Sequence, residues 1–198
     1  MYILTTKLEG RDFSWADIGL SWKSTVFVFF GGGVILGGVL ELFSWGLGIA
    51  QRSVETPMMP SIALMTVLTG ITAAMLDSFW QEIAFRGYLQ TRVVESYGVQ
   101  IGIPVVAVSF VLLHLLIHPL SPLEVLAGII LFLLVGLLYH VTRSLYLVGA
   151  LHGTLNYIPV LLETWSQPVD RAIVYGLALG VVLLFAQVLC RNKEKVSS

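Results

Sequence analysis

The sequence predicts an all-α fold: a polytopic membrane helix bundle with about six transmembrane helices and an interfacial helical extension. Three observations carry that expectation. Of 198 residues, 57% are hydrophobic and only 12% charged, with mean hydropathy +0.88, whereas a soluble domain carries about 25% charge. Six apolar runs approach the roughly 20 residues that a spanning helix needs. Prolines cluster where those runs stop. The net charge of −1 offers no basic surface for nucleic acid.

The first run extends over about 25–50, the second over about 60–80 and the third over about 101–117. The fourth extends over about 123–139, the fifth over about 145–162 and the sixth over about 172–190. Pro57, Pro60, Pro104, Pro119, Pro122 and Pro168 fall near their ends, and Pro159 predicts a kink or early stop in the fifth. Residues 82–100 mix polar and apolar side chains and predict a helical extension at the interface, ending near Tyr97-Gly98. Residues 1–24 are not read as a signal peptide, because the apolar run starts late and is too long for one. Cys190 is the sole cysteine, which excludes an intramolecular disulfide and reads as an apolar filler. No repeat or separate soluble domain is visible, so 1–198 reads as one integral membrane domain. Gly33 and Gly37, at small-xxx-small spacing, predict a close helix contact.

Lys and Arg gather on the cytoplasmic side of membrane proteins. With both termini inside, the inner segments hold Lys7, Arg11, Lys23, Arg86, Arg92, Arg143, Arg191, Lys193 and Lys195; the outer loops hold Arg52 and Arg171. This predicts an N-in, C-in orientation, with the polar cluster Gln81–Arg86 at the cytoplasmic end of the second helix and a cavity open to the cytoplasm.

Ionisable groups are costly within a bilayer and face the bundle interior. Glu41, Asp77, Gln81, Glu82, Arg86, His114, His152 and Asn156 are therefore the residues to explain, while His118 and His140 at run ends read as interfacial. Glu82 and Arg86 lie four apart and share a helix face; so do Phe110 and His114, and His152 and Asn156. Each taken singly has an ordinary structural explanation, and Glu41 is read as structural or cavity-lining. Several on three helices at i,i+4 spacing point to a site.

The ordered trio Gln81-Glu82-x-x-x-Arg86, Phe110-x-x-x-His114 and His152-x-x-x-Asn156 resembles the CPBP family, the glutamate-type intramembrane proteases. That family includes type II CAAX prenyl endopeptidases, Abi and bacteriocin-processing or self-immunity proteins, and myxosortase-like members. The resemblance covers residues 81–156. It implies an intramembrane endopeptidase that hydrolyses a peptide bond near the membrane. The first acid of the EExxxR pattern, at the place of Gln81, would activate water with His114. His152 and Asn156 would stabilise the oxyanion, with Glu82, Arg86 and Phe110 in support. The implied partners are the lipid bilayer and a membrane-anchored peptide or protein substrate: a prenylated tail, a leader peptide or a C-terminal sorting tail. A bacterial or archaeal cytoplasmic membrane suits the small size. No cofactor is implied; a His₂Glu zinc site from His114, His152 and a Glu is the disfavoured option, since HExxH is missing.

Gln81 departs from the pattern, because a carboxamide has no basicity at neutral pH. The chain is read as an inactive variant of a protease. The alternatives are Glu82 serving as base, and a pseudoprotease or immunity-type protein that binds peptide without cleaving it. A transporter would predict an inverted repeat, and none is seen.

Overall fold

The computed structural model describes residues 10, 12, 14–51, 64–161 and 166–197. Among them every regular element is helical. The helices are α1 (Val26–Ala50), α2 (Leu64–Glu82), a π-helical segment (Ile83–Gln90), α3 (Thr91–Tyr97), α4 (Val99–Leu115), α5 (Pro122–Thr142), α6 (Leu145–Leu161) and α7 (Pro168–Ser197). The start of the second expected run, with Pro57 and Pro60, lies outside the described residues.

Among the described residues, three helices are long and apolar enough to cross a bilayer: Val26–Ala50, Pro122–Thr142 and Pro168–Phe185. α4 and α6 are apolar but only 17 residues long. α2 carries Thr66, Thr69, Thr72, Asp77, Gln81 and Glu82, which lower its hydropathy below that of a plain span. The outer surface is rich in exposed large apolar side chains, among them Trp22, Phe27, Phe43, Trp80, Leu116 and Phe185. Apolar surface this extensive is a lipid-facing surface, and the protein is an integral membrane protein.

Glycines set the tightest contact. A Cβ on Gly33 would collide with the Leu147 carbonyl, and one on Gly37 would lie 2.8 Å from the Leu151 carbonyl. α1 therefore runs parallel to α6 with their backbones nearly touching, as the small-xxx-small spacing predicts. Across α6, Gly149 and Gly153 receive Phe79 and Met75 of antiparallel α2. α5 packs on α4 and α7, and the core forms around Phe110, Phe132, Leu134, Val135, Tyr139 and Leu151.

Local chemistry explains the ends. Ser121-Pro-Leu-Glu124 starts α5 with a capping box: the Glu124 N–H donates to Ser121 Oγ (3.3 Å) and the Ser121 N–H donates to Glu124 Oε2 (2.7 Å). α5 stops at Arg143, whose φ of 50° is left-handed. The stretch before α1 docks there: Leu145 N–H donates to the Gly19 carbonyl (3.1 Å) and Arg143 Nη2 to that of Asp17 (3.1 Å). Gly19 is required, because its φ is +81° and a Cβ would lie 2.7 Å from the Arg143 carbonyl.

Two sequence expectations need correction. Pro104 lies inside α4 rather than at its end. The polar stretch after Trp80 is not an interfacial appendage; α2 continues without a break to Tyr97, and Arg86, Gly87, Gln90 and Thr91 are buried in the bundle. Gln90 Nε2 donates to the Gly136 carbonyl of α5 (2.8 Å), which draws the segment inward. The expected stop at Tyr97-Gly98 is observed, with Gly98 at φ 80°.

Gly37→Val is expected to cost about 1–3 kcal/mol by overpacking α1 against α6, read as a lower Tm in detergent. Gly38→Ala, whose Cβ would meet nothing closer than Ile158 at 3.9 Å, is expected to leave Tm unchanged or slightly raised.

Candidate active site

Ser78, Glu82 and Arg86 follow one another at four-residue steps, so α2 and the π-helical segment carry them on one inward face. All three are fully buried. π-helical turns are uncommon and recur at functional sites; here the widened turn begins right after Glu82. Glu82 Oε2 pairs with Arg86 Nε at 3.1 Å. Its Oε1 accepts from His152 Nδ1 at 2.8 Å, across to α6. Arg86 is held between the rings of Phe110 and Phe132, 4.8 Å from each centroid, and Nη2 donates to the Phe132 carbonyl at 3.4 Å. Removing a carboxylate and a guanidinium from water is expensive. The carboxylate is compensated on both oxygens, and the cation by the ion pair, two aromatic faces and a carbonyl.

The two histidines flank the same aromatic pair. Phe110 and Phe132 pack with centroids 4.0 Å apart. His114 lies 4.5 Å from Phe110, and His152 lies 5.3 Å from Phe132. Their tautomers follow from their partners. His114 Nδ1 faces the Phe110 carbonyl at 2.9 Å, and a carbonyl only accepts, so Nδ1 carries a proton and, in the neutral ring, Nε2 is the acceptor. The Glu82 carboxylate likewise places the proton of His152 on Nδ1. Neutral His152 is then an acceptor at Nε2; it donates there only as the imidazolium, with Glu82 as counter-charge.

Asn156 lies one turn beyond His152 and donates from Nδ2 to Ser78 Oγ at 3.1 Å. This leaves one amide N–H of Asn156 for another acceptor. Gln81 is turned differently. Its Nε2 donates to Asp77 Oδ2 at 2.8 Å, one turn back on α2, and its Oε1 is buried without a hydrogen-bond partner.

A cavity of about 540 Å³ is lined by His114, His152 and Asn156, with Val111, Leu131 and Phe132 beside them. It continues to His118 and Leu120 in the α4–α5 turn and to Glu124, Arg171 and Tyr175 in the first turns of α5 and α7. Neither Gln81 nor Glu82 lines it. Glu41 stands behind Tyr175, accepting from Ser166 Oγ at 3.0 Å. The structure thus joins Glu82, Arg86, Phe110, His114 and His152 in one cluster, links Asn156 through Ser78, and sets Gln81 to one side. One expectation changes: His118 lines the cavity, which runs from His152 and Asn156 toward the α4–α5 turn, at the end of the bundle opposite Arg143. Among the described residues no three His, Cys, Asp or Glu side chains form a group suited to a metal.

Sequence reasoning missed Ser78, Phe132, Glu124, Arg171 and Tyr175. Ser78 was discoverable, standing four residues before Glu82. The Asp77–Gln81 spacing was equally open to view. Phe132, inside a uniformly apolar run, carries no signal.

Residues 60–158 match the family described as type II CAAX prenyl endopeptidase Rce1-like, a span that contains all three motifs. No curated protein and no solved structure matches the chain significantly.

Glu82→Gln is expected to cost about 3–5 kcal/mol, because Arg86 is left as an uncompensated buried cation. The double variant Glu82→Gln with Arg86→Met is expected to recover most of that loss. Tm in detergent for the two single variants and the pair gives the coupling; additive losses would show that the pair is not energetically linked.

Proposed function

The chain belongs to the Rce1-like family of type II CAAX prenyl endopeptidases, and from that premise we propose that it is an intramembrane endopeptidase scaffold for membrane-tethered substrates. The observation that carries this reading is the convergence of His114, His152 and Asn156 on one cavity, backed by the buried Glu82–Arg86 pair. Six helical crossings with both termini inside fit that reading, with the shorter α4 and α6 completing the bundle. The substrate would be a prenylated tail, a leader peptide or a C-terminal sorting tail.

Hydrolysis here needs three things. A water oxygen attacks the peptide carbonyl carbon while a base takes its proton. Donors hold the oxyanion until the C–N bond breaks. The departing amine then takes up a proton. His114 Nε2 is a free acceptor for the water. The spare N–H of Asn156 and the Nε2–H of cationic His152 are the oxyanion donors, each worth about 3 kcal/mol in a dry site. Glu82 has both oxygens engaged behind the cavity wall, so it is a positioning residue that orients His152, not the base. The position before it, where the family pattern has the first acid of the pair, holds Gln81. The chain as it stands is therefore an inactive variant of this machinery. A second reading is favoured by one observation: Gln81 Nε2 already serves Asp77. On that reading the chain is a pseudoprotease that binds a peptide and releases it intact.

Gln81→Glu is expected to raise cleavage of a membrane-tethered fluorogenic peptide in proteoliposomes by about 10²–10⁴-fold, the usual contribution of a placed base. Adding Asp77→Asn, which removes a like charge one turn away, is expected to raise it further. Adding Asn156→Ala instead is expected to remove about 10²–10³-fold. If both position-81 carboxylate variants bind the peptide and cut nothing, the pseudoprotease reading replaces the first.

A further inference from the structure

A second cavity, of about 290 Å³, lies at the end of α6 away from Asn156 and shares no residue with the one that holds His114, His152 and Asn156. Ser21, Lys23 and Thr25 line it from the segment before α1, and Thr142, Arg143 and Ser144 from the α5–α6 turn. Val26, Phe29 and Tyr146 add apolar surface. Among the described residues no carboxylate lines it, so two cations face it without an acid beside them.

The backbone adds charge of the same sign. α1 and α6 both start at this cavity, and the first turn of each holds no aspartate or glutamate. Thr25, at the N-cap of α1, makes no side-chain cap. The leading N–H groups of a helix lack acceptors within it and amount to about half a positive charge.

The donors can be counted. Thr142 spends its proton on the Leu138 carbonyl (2.7 Å). Ser144 Oγ accepts from the Leu147 N–H (3.4 Å), which leaves its own O–H to give. Arg143 Nη2 donates to the Asp17 carbonyl (3.1 Å), and a guanidinium has four further N–H groups. The left-handed backbone at Arg143 and its stacking on Tyr139, 5.2 Å from the ring centroid, fix where that cation stands. Lys23 supplies an ammonium from the other side.

We propose that this cavity binds a phosphate group, carried by the headgroup of an anionic lipid or by a small solute. Tetrahedral oxygens meet donors arriving from two sides, here the segment before α1 and the α5–α6 turn. The volume is that of about ten waters, room for a phosphate and its nearest substituent. The position suits a headgroup: Trp22, 82% exposed, stands between Ser21 and Lys23, and tryptophan gathers at the level where headgroups lie. The site is independent of the chemistry proposed for the His114–His152 cavity. A bound phosphate would bridge the segment before α1 to the α5–α6 turn, and a ligand held only by the folded chain raises Tm.

The test uses the full chain, stripped of lipid in a non-ionic detergent. It is titrated with dioleoylphosphatidylglycerol and, separately, with glycerol 3-phosphate. Tm is followed, and retained lipid is counted by native mass spectrometry. Expected is a saturable rise in Tm. Lys23→Gln is expected to weaken the apparent affinity about fivefold, the worth of one cation beside an anionic headgroup. Thr25→Glu places an acid at a helix start, so it is expected to keep or raise the Tm of the bare chain and to abolish the response. Arg92→Gln, on α3 and outside the cavity, is expected to leave the response unchanged. A response to the lipid alone, with one lipid retained per chain, assigns the site to a headgroup. An equal response to glycerol 3-phosphate assigns it to a solute. No response to either probe overturns the proposal. So does a response that Lys23→Gln and Thr25→Glu leave intact, or one that Arg92→Gln weakens as much as they do.

Discussion

A carboxylate and a guanidinium with no exposed surface at all sit at the centre of this bundle, and the positions of four helices follow from satisfying them. Glu82 reaches α6 through His152, and Arg86 reaches α4 and α5 through the rings of Phe110 and Phe132. In a low-dielectric interior each partner left out would strand a charge. A slip of one residue in α6, or a half-turn rotation of α4, would do so. The network therefore acts as a register device. It requires that helices approach closely, and small residues permit this: Gly149 and Gly153 admit α2 to α6, Gly136 admits Gln90 to α5, and Gly33 and Gly37 bring α1 against the far side of α6.

The same constraint divides labour between the two imidazoles. Each is tied at Nδ1 and each lines the cavity, but the ties differ in charge. A backbone carbonyl holds His114 at Nδ1 with no carboxylate behind it. A carboxylate holds His152, and only that ring has a counter-charge behind it when it becomes a cation. One helix pair thus offers a proton acceptor and a potential donor side by side, an arrangement suited to a reaction in which a water loses a proton while a carbonyl oxygen gains negative charge.

Much of this was legible in the sequence because polar residues in an apolar run have few innocent explanations. Glu82, Arg86, His114, His152 and Asn156 stood out against their surroundings, and i,i+4 spacing told which of them share a face. Gly33 and Gly37 announced their contact for the same reason. What stayed hidden depended on three dimensions. Phe132 is one apolar residue among many, and its role exists only because α5 lies across from α4. The π-helical turn has no residue signature, so the run after Trp80 read as a helix end rather than as the middle of a continuous rod. The course of the cavity toward the α4–α5 turn depends on how α4, α5 and α7 meet, which charge in loops does not report. The docking of the segment before α1 rests on Ile18, Gly19 and the left-handed Arg143, none of them conspicuous in a hydropathy profile.

Gln81 looks at first like a single lesion in an otherwise intact site, but its neighbour argues for a pair. Asp77 lies one turn away and accepts a hydrogen bond from the Gln81 amide at 2.8 Å. An amide is the natural partner for that carboxylate; a second carboxylate would be its opponent. Two like charges at that separation in a partly dry setting either share one proton or move apart. A glutamate at 81 would thus be either neutralised by the shared proton, and useless as a base, or pushed away from Asp77, for which the direction of the His114–His152 cavity is the chemically rewarding one. Whether position 81 can supply a base is consequently decided by residues 77 and 81 together. The chain as written has settled that pair in favour of a hydrogen bond along α2 instead of a charge aimed at water.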